Sequence, residues 1–103
     1  MATRASIEFD FKQALSQADR VDQIADSLSR LSDNKFEGTM QNLSLNWKGE
    51  SANRYLAKGE RLQGKMNVTA NELRRIASDI RRVARNLYNA ELAALEIASQ
   101  RNY

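Results

Sequence analysis

From Asp10 to Asn46 the apolar residues return mostly every three or four positions: Phe11, Leu15, Ala18, Val21, Ile24, Leu28 and Leu31, then Phe36, Met40, Leu43 and Trp47. That is a helical period. Asp10, with Gln13 three residues later, has the form of a capping box. The step from Leu31 to Phe36 is five residues, so the stripe slips around the polar segment SDNK. Two readings stand: a stutter in one long helix, or a break. Upstream, Ile7, Phe9 and Phe11 alternate with Glu8 and Asp10, and that period of two reads as an arm over residues 1–9, extended or disordered.

The second half carries a longer stripe. Ala52, Tyr55, Gly59, Leu62, Met66, Thr69, Leu73, Ile76, Ile80, Val83, Leu87, Ala90, Ala94 and Ile97 follow one another at alternating three- and four-residue steps. This is a heptad stripe of coiled-coil type. Leu56, Ala77, Ala84, Tyr88 and Leu95 widen it on one side. Gly59 lies on the stripe, where a missing side chain lets another helix approach. Gly64 lies off it, at a cost of about 1 kcal/mol relative to Ala.

Between the two patterns stands NWKGES, residues 46–51. Gly49 can end the first helix in the left-handed conformation. Ser51 can cap the second, with Glu50 favourably placed at its positive end. The sequence therefore predicts an all-α chain: an antiparallel two-helix hairpin in a single domain, with an arm at 1–9, helix at 10–46, a turn at 47–51, helix at 52–98 and a tail at 99–103. At 1.5 Å per residue the helices are roughly 50 to 70 Å long. Each helix of such a hairpin buries only one side. Dimerisation into a four-helix bundle is the simple remedy. The expected dimer and hairpin seam is Leu62, Met66, Leu73, Ile76, Ile80, Val83 and Leu87.

Charge supports the pairing. Residues 10–46 carry six acids and four bases, and residues 50–103 carry six acids and ten bases. The whole chain has a net charge of +3, which permits acidic partners without demanding nucleic acid. There is no His and no Cys, so the commonest general base, metal ligand and nucleophile are missing. The carboxylates scatter over helix surfaces with no spacing that suggests a metal or a catalytic pair. An enzyme is therefore the weakest reading, and no cofactor or metal is implied. No apolar run reaches membrane-spanning length, and MATRASIEFDF has no apolar core of a signal peptide.

The chain resembles the WXG family, the early-secreted-antigen-like small proteins of type VII secretion. Trp47, Lys48 and Gly49 supply Trp-X-Gly near mid-chain, Tyr55 supplies an aromatic eight residues after the Trp, and the resemblance runs from Asp10 onward. It implies a hairpin with Trp47, Gly49 and Tyr55 as a secretion-turn motif. It implies export from the cytoplasm without a cleaved signal, driven by a membrane-bound secretion ATPase, and a partner that is either the same chain or a paired WXG-type product. The family's tail motif, Tyr with an acid four residues later, is absent: Tyr88 is followed at that distance by Leu92. A looser pattern of Leu87, Glu91, Ala94 and Ala98, together with Tyr88, remains as a C-terminal export signal, and the same residues also read as an ordinary amphipathic helix. Without the resemblance, Trp47 reads as an aromatic plug at the hairpin end.

The segment LRRIASDIRRVAR places Arg74, Arg81 and Arg85 on one face, with Arg75 and Arg82 beside it. This is either solvated surface or a docking face for an acidic partner helix, such as the N-terminal helical region of a larger exported toxin. Rival readings are a hairpin that binds nucleic acid through phosphate contacts, or one that lies on an anionic membrane surface. There is no stacking set of aromatics and no recognised nucleic-acid motif, so nucleic acid is the poorer partner.

Overall fold

The computed structural model describes residues 2–101. Every regular element among them is helical: α1 is Arg4–Arg30, a π-helical turn spans Leu31–Phe36, α2 is Glu37–Asn46, and α3 is Glu50–Gln100. Of the expected tail at 99–103, residues 102 and 103 lie outside the described residues, as does Met1 of the arm.

The arm is a correction. Helix α1 begins at Arg4, not Asp10. Thr3 and Ser6 form the cap: the Ser6 N–H donates to Thr3 Oγ1 at 3.1 Å, and the Thr3 N–H donates to Ser6 Oγ at 2.9 Å. These reciprocal bonds satisfy donors that a helix start leaves unpaired. Ile7 and Phe11, which looked like alternate residues of a strand, stand one helical turn apart on the packed side. Phe9, between them, is 63% exposed. A period of two over five residues could not be told from a helix entering its first turns.

The corner differs by two residues. Helix α2 ends at Asn46, and Trp47 is extended at φ −123° and ψ 120°. Gly49 has a positive φ of 113°. Its carbonyl accepts the Asn53 N–H at 3.1 Å, so Gly49 itself is the N-cap of α3 and Ser51 lies inside the first turn. Glu50 is in that first turn, where a carboxylate favours the helix dipole.

The chain stays helical through SDNK. The five-residue slip is taken up by one wide turn, in which the Glu37 N–H reaches back to the Ser32 carbonyl five residues earlier. The Ser32 carbonyl also accepts a bond from Gln63 Nε2 at 3.1 Å. The Thr39 hydroxyl donates to the Lys35 carbonyl at 2.9 Å. The Ser32 hydroxyl is buried without a hydrogen-bond partner.

The contacts divide the chain into two compact units. One joins the N-terminal segment up to Val21 with the segment from Arg75 onward; the other is Asp22–Arg74. In the first, Ala18 and Ala77 are fully buried, and Phe11 stacks on Tyr88 with ring centroids 4.5 Å apart. Arg81 bonds Asp19 at 2.9 Å. In the second, Ala25, Ala52 and Ala70 are fully buried. Arg74 bonds Asp26 at 3.3 Å and Ser29 Oγ at 2.9 Å. The Met40 thioether occupies the space a side chain at Gly59 would take. Within each unit, partners of rising number in the first segment meet partners of falling number in α3, so the segments pack antiparallel.

The expected seam splits in two. Met66, Leu73 and Ile80 are half-buried in their units, whereas Leu62, Ile76, Val83 and Leu87 remain exposed. The packed side of α3 is the one that carries Ala70, which the sequence stripe left out, with Ala77, Ala84 and Tyr88, which seemed only to widen it. Alanines let helix axes approach closely, and larger residues cannot share that line without forcing the helices apart.

Candidate functional site

The corner is built from local rules. Helix α2 stops because Trp47 leaves the helical region while its N–H still donates to the Leu43 carbonyl at 2.9 Å. The reversal needs the positive φ of Gly49, which an L side chain adopts only with strain. Open space surrounds the position a Cβ there would take, so the requirement is conformational and not steric crowding. The exit then places Tyr55, one and a half turns into α3, beside the indole. The Trp47 and Tyr55 rings stack with centroids 5.5 Å apart and planes at 30°. Lys58 Nζ lies 5.5 Å from the Tyr55 ring centroid. Lys48 Nζ donates to the Ser44 carbonyl at 3.1 Å, covering one that the helix end leaves free, and Asn46 Nδ2 adds a bond to the Asn42 carbonyl at 2.9 Å.

This pair is not a buried plug. Trp47 is 39% exposed and Tyr55 59%, with Leu43 and Leu45 exposed nearby in the chain. Trp and Tyr offer large contact area with few rotatable bonds and a polar tip, which suits a recognition surface.

The residues expected to form the C-terminal signal do not share one environment. Leu87, Ala94 and Ala98 are exposed on α3. Tyr88 is half-buried against Phe11, and Glu91 is half-buried near Ile7 and Phe11. The arginine face is also divided. Arg74 and Arg81 bond carboxylates of α1 within their own units, and Arg85 lies over the Phe11 ring at 5.9 Å. Arg82 makes an exposed pair with Asp79 at 3.4 Å on the same helix, and Arg75 is exposed. The carboxylates of α1 that face these arginines, Asp19 and Asp26, stand seven residues apart in the sequence, and that spacing matches Arg81 and Arg74 in reverse order. That matched spacing is the signal of the pairing in the sequence.

Among the described residues no cluster of acids could hold a metal ion, and no helix is long and apolar enough to cross a membrane.

An all-helical chain that reverses on Trp-X-Gly, with the tryptophan at the surface, defines a class of small helical-hairpin proteins. The model of one such family, described as proteins of 100 residues with WXG, matches residues 6–92. The chain belongs to this WXG100 family, whose members are small, non-catalytic helical proteins related to type VII secretion. Comparison with curated proteins and with solved structures gives no match.

Proposed function

We propose that this chain is an interaction protein of a type VII secretion system, exported as a substrate or as the partner and targeting chaperone of one. The observation that carries the reading is the exposed Trp47–Tyr55 stack held at the corner by Gly49. In this reading the chain associates with a second hairpin, either its own copy or a WXG-type partner, and the corner presents Trp47 to the membrane-bound secretion ATPase or to a cargo bound for it. A larger exported toxin with a helical N-terminal region is the cargo class that fits. Leu87, Ala94 and Ala98 form the exposed part of the tail signal, and Tyr88 serves chiefly to pack the hairpin. The pairing of Arg74 and Arg81 with α1 supports a latch role for the arginine face, with Arg75 and Arg82 left as the cations that an acidic partner can reach.

The test is Trp47→Ala in a secreting host, with export and helicity measured together. The expected outcome is helicity within about a tenth of the wild type, because the indole is far from fully buried, and export reduced by an order of magnitude or more. Normal export of the variant, or loss of its fold, would remove Trp47 as a recognition element.

A further inference from the structure

Ser27, Arg30, Leu31, Asn34 and Lys35 line one shallow depression beside the wide turn. All of them are exposed, and all lie in the Asp22–Arg74 unit. Arg30 and Lys35 are five residues apart. In an ordinary α-helix that separation turns two side chains about 140° from each other, onto different sides. The turn over Leu31–Phe36 takes in one residue more, which brings Lys35 round toward the place that a residue four after Arg30 holds in an α-helix. The same slip that resets the inward facing of the helix therefore gathers two cations on its exposed side.

These cations are uncommitted. Arg74 and Arg81 hold carboxylates of α1, whereas among the described residues neither Arg30 nor Lys35 has an ion pair. The acids near them in the chain are turned elsewhere: Asp26 bonds Arg74, Glu37 accepts from Gln41 Nε2 at 3.4 Å, and Asp33 does not line the depression. The Ser27 and Asn34 side chains also make no hydrogen bond among the described residues. Every polar side chain of the depression can thus donate: a guanidinium fork, an ammonium, an amide and a hydroxyl. Such a set suits a group with two negative charges and more acceptor oxygens than a carboxylate has, which is a phosphate monoester. Leu31, 46% exposed, stands among the donors and offers an apolar wall to whatever carries the phosphate. Wide turns of this kind are frequent at functional sites.

From this convergence we infer that the π-helical turn builds a binding site for a phosphate monoester, with Arg30 and Lys35 on the phosphate, Ser27 and Asn34 as further donors, and Leu31 against the apolar part of the ester. The site is open to water, so inorganic phosphate alone binds weakly, with a Kd on the order of millimolar. Neither a second copy nor the corner contributes a residue, so the inference is independent of association and of export.

The test is a titration of the isotope-labelled full chain followed by amide NMR, at an ionic strength held constant with chloride. Inorganic phosphate and phenyl phosphate are the probes. Both are expected to move the amides of residues 27–35 along saturable curves. Phenyl phosphate should bind about threefold or more tighter, because its ring covers Leu31. Arg30→Gln and Lys35→Gln keep their helicity by circular dichroism, since both side chains are exposed and unpaired, and each weakens binding by about fivefold or more. Lys12→Gln changes an exposed lysine of α1 outside the depression and leaves binding as it was. A response that never saturates, equal weakening by Lys12→Gln, or indifference to Lys35→Gln would each overturn the site. Phenyl phosphate that binds no tighter than phosphate would overturn the role of Leu31, and the ester with it. Co-sedimentation with phosphatidylcholine vesicles, with and without phosphatidic acid, tells two sources of the ester apart. Retention that needs phosphatidic acid, Arg30 and Lys35 makes it a lipid headgroup, and no retention makes it a soluble compound.

Discussion

The packed side of α3 centres on small residues flanked by half-buried Met66, Leu73, Ile80 and Tyr88, whereas the outer side carries large residues that stay exposed. The packed side buries Ala52, Ala70 and Ala77 completely. The outer side holds Tyr55, Leu62, Ile76, Val83 and Ile97, each between 48% and 59% exposed. Burial free energy scales with apolar area, so a line of alanines contributes little however fully it is buried. The alanines set distance and orientation within the hairpin, and the unspent hydrophobic area sits on the outside. A monomeric domain normally arranges this the other way round, with its large side chains inside. The difference teaches that the inner line shapes the hairpin, while large apolar side chains remain available on the outer one. It agrees with a family whose members typically form dimers.

The contrast breaks most visibly at the outer row. Leu62→Asp together with Ile76→Asp is expected to remove roughly 3–6 kcal/mol of association free energy per copy. Sedimentation would then show monomer at concentrations where the wild type is associated, and persistence of the wild-type species would refute the assignment. The opposite error is enlargement of the inner line. Ala77→Leu places three extra carbons in a fully packed contact and should cost about 1–3 kcal/mol. Urea unfolding would register it as a lower midpoint. A midpoint equal to the wild type would mean that the alanine contact is not tight.

Two glycines of α3 sharpen the comparison on a smaller scale. Gly64 has open space around it, so Gly64→Ala should raise stability by about 1 kcal/mol through helix propensity alone. Gly59→Ala gains the same propensity but must displace the Met40 thioether, so it should show little or no rise in melting temperature. If both variants rise equally, Met40 does not pack where the structure puts it. The smallest effect belongs to the exposed latches. Asp19→Asn leaves Arg81 without that carboxylate and should cost less than about 1 kcal/mol, a difference that shrinks further in high salt.

The helices and the corner were legible because each has a local cause. Helical period, a glycine with positive φ, and the Trp-X-Gly spacing all act within a few residues. The start of α1 was misplaced because Thr3 and Ser6 cap it with hydroxyls, a weaker pattern than the Asp10–Gln13 pair that drew attention. The facing of α3 was not legible from its own stripe. Two apolar rows adjoin on that helix, and only the partner segment decides which is covered. Ala18 and Ala25 of α1 favour the row of Ala70 and Ala77, where small meets small. The arginines were read as one surface for the same reason: Asp19 and Asp26, which engage two of them, lie more than forty residues away in the chain.

The π-helical turn bears on how the first half of the chain keeps its facing. The turn holds five residues where four would keep the same sides inward, so the helix stays continuous while its facing is reset by one residue. Removing one exposed residue between Ser32 and Phe36 would carry the rhythm Val21, Ala25, Leu28, Ser32 straight on through the phenylalanine to Met40 in an ordinary α-helix. Relatives one residue shorter should therefore show their gap in this stretch. A change of one residue there would leave the corner at the same distance from everything after it.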